Sequence, residues 1–145
     1  MPNLSLTEPA IDAVQTVLTR SIDAQAGFDT MVEKAEPEFK PVAEQFLELH
    51  DRHVQSLAST IEAAGRAPRM DGSAMSPVNE AVVSLRAFFD EIDADVIDNI
   101  RSGEGYILSA FDDAITELAD GPAQDRLTGL RAELQALLDK TEDID

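Results

Sequence analysis

The chain has 145 residues and a formal charge of −18, from 29 acidic against 11 basic residues. That length suits one domain with room for a real core, and that charge argues against nucleic acid and anionic membranes as partners. With no Cys, disulfides, thiolate chemistry and thiolate metal sites are excluded.

The amino-terminal stretch MPNLSLTEPA has no basic segment and no apolar signal core. No apolar run approaches the roughly 18 residues that span a bilayer. The expectation is a cytoplasmic protein with no membrane partner.

A first helix is predicted over residues 7–34, starting at Ser5 or Thr7, with Pro9 in its first turn where a missing N–H does little harm. Its apolar stripe is Ile11, Val14, Val17, Leu18, Ile22, Phe28 and Val32. AEPEFKP, with Pro37 and Pro41, reads as a tight turn. A second helix over 38–64 carries Val42, Phe46, Leu49, Leu57 and Ile61, with Gly65 as its C-terminal stop. Residues 65–77 read as loop, and a short helix over 77–90 presents Val82, Leu85, Phe88 and Phe89. After the acidic break DEIDAD, with Asp93 as N-cap, a helix over 93–119 carries Ile100, Ile107, Leu108, Phe111, Ile115 and Leu118. DGP stops it, and a last helix over 122–142 shows Leu127, Leu130, Leu134, Leu137 and Leu138. There is no β pattern.

The fold class is therefore all-α, a single domain over 1–145. Tight turns make the first two long helices antiparallel, and likewise the last two. The long stretch between the pairs, holding the short fifth helix, matches what a crossover needs to return along a bundle about 38 Å tall. An antiparallel four-helix bundle with one long crossover is the expected architecture.

On a wheel of about 100° per residue, His50 and His53 fall among Phe39, Phe46, Leu57 and Ala64. They are the only two histidines. Glu104 falls among Ile100, Ile107, Leu108 and Phe111, an unusual place for a carboxylate, because charged groups are rarely buried unless paired. Gln25 and Ser21 fall among Val14, Leu18 and Val32. Counting helical rise from the turns brings Gln25, His50, His53 and Glu104 to one level, with Ser21 nearby. Gly103 and Gly105 bracket Glu104 at about 1 kcal/mol each relative to Ala, which fits either close helix packing at Gly103 or a local bulge or extra room beside Glu104.

DAQAGF (23–28), FLELHDRH (46–53), DGS (71–73) and SGEGY (102–106) carry a resemblance to the ferritin-like superfamily, in particular to small uncharacterised bacterial ferritin-like bundles. In its metal-binding members one helix gives a Glu and the next Glu-x-x-His, and the second pair repeats this. The resemblance sets Gln25 at the first Glu, His50-x-x-His53 at Glu-x-x-His, and Glu104 at the third-helix Glu. The fourth helix should repeat Glu-x-x-His, but its core face offers Leu134 and Leu137, with Arg131 at the edge. One core carboxylate does not balance two divalent ions, so a dinuclear centre is not expected. Two readings stay open: a hydrogen-bonded polar core with no cofactor, or a single Fe or Zn held by His50, His53 and Glu104, with Gln25 as a weak or outer ligand.

The functions that follow are a degenerate ferritin-like bundle acting as a structural or interaction protein, dimeric by superfamily habit, or a mononuclear metalloprotein with a redox or stress role. No nucleophile–base constellation and no phosphate-cradling glycine loop points to another enzyme class.

Overall fold

The computed structural model describes residues 6–35, 37, 39–71 and 97–141. Among them are four helices and no strand: α1 (Glu8–Lys34), α2 (Lys40–Ala63), α3 (Ile97–Glu117) and α4 (Pro122–Lys140). The short helix expected over 77–90 lies outside the described residues, as do residues 93–96. No helix among the described residues is long and apolar enough to cross a membrane.

Local chemistry sets the helix ends. The Thr7 hydroxyl accepts the Ala10 N–H at 3.2 Å, which satisfies one of the free donors of the first turn. At the end of α2, Gly65 adopts φ +93°. Its N–H reaches the Glu62 carbonyl and that of Arg66 reaches the Ile61 carbonyl, the paired bonds of a glycine-terminated helix. Pro122 opens α4 where a missing N–H is harmless. Gln124 then turns its amide back to donate to the carbonyls of Ile115 and Leu118, both at 3.0 Å, closing the end of α3.

Side-chain pairs between helices give their directions. Gln25 meets Asp51 and Phe28 stacks on Phe46, so α1 and α2 are antiparallel. Arg126 meets Thr60 while Glu133 meets His53, so α2 and α4 are antiparallel. Arg101 reaches Thr141 while Arg131 reaches Asp112, so α3 and α4 are antiparallel too. It follows that α2 and α3 point the same way. Just after α2, the buried Gln15 amide grips the backbone of Arg69 through two hydrogen bonds of 3.1 and 2.9 Å, and Arg66 pairs with Asp12 at 2.8 Å. The start of the connection is thereby tied to α1.

The core is mostly aliphatic, as the scarcity of aromatic residues leads one to expect, with Phe28, Phe39, Phe46 and Phe111 among its buried members. Val14, Leu18, Phe46, Leu57, Ile61, Phe111, Leu127 and Leu134 are fully buried, each contributing about 1.5–3 kcal/mol through removal from water. Tyr106 stays outside, with the Arg20 guanidinium 4.7 Å from its ring centre. α3 runs unbroken through Gly103 and Gly105. Neither the local bulge nor a close-packed neighbour is found: a Cβ at either glycine would meet nothing within 4 Å among the described residues.

Candidate functional site: two histidine–carboxylate pairs

The apolar stripe of α2 is interrupted one turn past Phe46 by His50 and His53. Helical spacing puts both on the face that the hydrophobic effect buries, and both are 0% exposed. A buried imidazole needs a partner for its N–H. Each finds a carboxylate on a different helix. His50 Nε2 lies 2.6 Å from Glu104 Oε1 of α3, with Glu104 only 2% exposed. His53 Nε2 lies 2.9 Å from Glu133 Oε1 of α4. The Glu133 side chain is 47% exposed, so this carboxylate bridges solvent and core.

Apolar rings frame the pairs. Phe28 of α1 stacks on His50 with centroids 5.6 Å apart, and Phe111 of α3 meets His53 edge-on at 6.1 Å. The two imidazoles are 6.4 Å apart and nearly perpendicular. Arg52 approaches the same Glu133 oxygen at 3.4 Å from the surface side.

Burial lowers the pKa of His53 below its ordinary 6.5, because the charged ring loses its water. The hydrogen bond to Glu133 opposes this, and the neighbouring His50 adds to it. At neutral pH His53 is therefore the uncharged ring, and its Nε2–H donates to the Glu133 carboxylate. Four buried polar atoms have no hydrogen-bond partner among the described residues: Nδ1 of His50, Nδ1 of His53, Glu104 Oε2 and Ser21 Oγ.

His50, His53 and Glu104 thus come together in the core, and Ser21 is buried. Gln25 is elsewhere. Its level along the bundle matches, but its amide donates to Asp51 Oδ1 at 2.6 Å on the partly exposed rim of α1 and α2. One residue along α2 is a rotation of about 100°, enough to exchange a buried partner for a surface one. The expectation of a single carboxylate at the cluster is also corrected. Glu133 stands one position before the buried Leu134, and its side chain is long enough to reach inward from a half-exposed position. The signal that could have found it is the need of His53 for an acceptor, together with the antiparallel register that sets Glu133 beside it.

The four groups do not converge on one point. Among the described residues no set of three or more His, Cys, Asp or Glu is disposed to hold a metal ion. The arrangement is two separate pairs.

Fold and site together define an all-helical bundle with a polar core. The chain belongs to a family known as a domain of unknown function (DUF2383), whose model matches residues 9–117. The match takes in His50, His53 and Glu104 and ends at the last residue of α3, so Glu133 on α4 lies beyond it. Comparison with curated proteins and with solved structures gives no match.

Proposed function

We propose that this chain is a ferritin-like bundle with one long crossover, of a type without a dinuclear metal centre, acting as a structural or interaction protein. The helix directions support the crossover: α2 and α3 run the same way, so the connection leaves one end of the bundle and arrives at the other. The observation that carries the reading is the one-to-one pairing of the core histidines, His50 to α3 and His53 to α4. Each pair ties α2 to a different helix and has one rotation at which its partners meet, so the two together fix register.

A dinuclear ferritin-like centre does not fit these residues. It needs several carboxylates, two of them bridging, to balance two divalent ions. Here Gln25 stands at the first Glu position, and Glu133 is followed at the expected His position by Ala136. A second reading, a single Fe or Zn with a redox or stress role, is favoured by the partnerless Nδ1 atoms and Glu104 Oε2. His50, His53, Glu104 and Glu133 are a chemically suitable donor set, but both pairs would have to open to close on one ion.

Elemental analysis of untagged protein, before and after anaerobic addition of Fe(II), Zn(II) and Mn(II), tests this. The scaffold reading expects no tightly held metal and an unchanged unfolding midpoint. One equivalent lost on His53→Gln would replace it with the second reading, and two equivalents would overturn the exclusion of a dinuclear centre.

A further inference from the structure

We propose that the groove between α2 and α4 binds a small oxyanion, a phosphate- or carboxylate-bearing molecule, between Arg126 and Arg52. The groove has a volume of about 600 Å³ and is lined by Asp51, Arg52, Gln55, Ser56 and Ser59 of α2 and by Arg126 of α4. The residues of α2 recur every three or four positions, so they form one face directed at α4. Because the helices are antiparallel, with Arg126 beside Thr60, one guanidinium stands at each end. The hydroxyls of Ser56 and Ser59 lie between, over about 11 Å of helix.

The arginines are engaged in an informative way. Arg66 pairs with Asp12 at 2.8 Å and Arg131 with Asp112 at 2.6 Å. Arg126 bonds a neutral hydroxyl instead, Thr60 Oγ1, at 3.0 Å, as Arg20 bonds the Tyr106 carbonyl. In a chain with 29 acidic residues, a guanidinium that faces a groove and bonds only a hydroxyl among the described residues retains several N–H donors for an anion. Arg52 touches Glu133 through one nitrogen at 3.4 Å, which also leaves donors over. The acidic member of the lining, Asp51, has its Oδ1 bonded by Gln25 of α1 at 2.6 Å, which draws the carboxylate toward α1 and away from Arg126.

The overall charge of −18 opposes any anion. Screening limits that opposition to about 8 Å at physiological salt, and within that range Arg126 and the hydroxyls of Ser56 and Ser59 offer donors, with Arg52 in reach of a longer anion. The ligand is small for the same reason, since a polyanion would meet the acidic surface beyond the groove. The site shares no residue with the inner pair and touches the outer one only through the Arg52–Glu133 contact.

The test is a titration of the ¹⁵N-labelled full chain, at constant ionic strength, with inorganic phosphate and separately with succinate, following backbone amide shifts. Saturable shifts at Ser56, Ser59 and Arg126 are expected. Arg126→Gln should weaken them by about tenfold or more, and Arg131→Gln, on the α3/α4 side, should leave them unchanged. Arg126 is exposed, so the variant keeps its fold. Tighter binding of phosphate identifies a phosphate ester as the ligand type, and tighter binding of succinate a carboxylate. Shifts that grow linearly without saturating, or that persist unchanged in Arg126→Gln, overturn the proposal.

Discussion

The two histidine–carboxylate pairs use the same groups and live in different solvents. His50 and Glu104 are both sealed in the core, 2.6 Å apart. His53 is equally buried, but its partner Glu133 is half in water and shares an oxygen with Arg52. In the inner pair, neither group has water to fall back on if the other is lost. In the outer pair, the carboxylate is already hydrated and only the imidazole has been withdrawn. The same contact should therefore be worth much more inside than at the rim, for reasons of desolvation and not of contact geometry.

The strongest way to break that comparison is Glu104→Ala. It leaves the buried His50 without its acceptor and should destabilise the fold by about 2–3 kcal/mol, read as a shift of the urea midpoint. Glu133→Ala should destabilise by only about 1 kcal/mol, because water can approach His53 through the space vacated. Equal losses for the two variants would show that burial does not separate the pairs.

Acid sharpens the comparison from the other side. The pKa of His53 is lowered in the folded chain, so the unfolded chain takes up the proton first as pH falls through 6.5. The stability contributed by the neutral ring is complete above that pH and declines below it, until the lower folded pKa is reached. His53→Gln should flatten this part of a stability–pH profile, and a profile identical to that of the parent chain would contradict the assignment. The smallest effect belongs to Arg52→Ala, about 0.5 kcal/mol or less, since an exposed pair at 3.4 Å contributes little. A larger loss in equilibrium unfolding would mean that Arg52 is needed to hold Glu133 on His53.

Much of this was legible in the chain because burial follows helical period. The stripe through Phe46 and Leu57 put His50 and His53 inside, and the one through Ile100 and Phe111 did the same for Glu104. Gly65 and Thr7 marked helix ends through chemistry that acts over three or four residues. What periodicity could not give was reach. A wheel places Cβ atoms, so it located Leu134 and missed that the neighbouring Glu133 extends three further bonds into the core. It also matched Gln25 and His50 in height and turned Gln25 toward the core, but the side chain lies at the edge of the buried face and its amide went to Asp51 instead. Height along a bundle follows from counting residues, whereas azimuth depends on how helices pack.

The most direct measurement is the long-range ¹H–¹⁵N spectrum of the two imidazoles at pH 7, recorded before and after treatment with a strong chelator. The account predicts a neutral His53 ring with its proton on Nε2, and a spectrum for both rings that chelation does not alter. A His53 Nε2 without a proton, or resonances that move when metal is stripped away, would contradict a core held together by two histidine–carboxylate pairs.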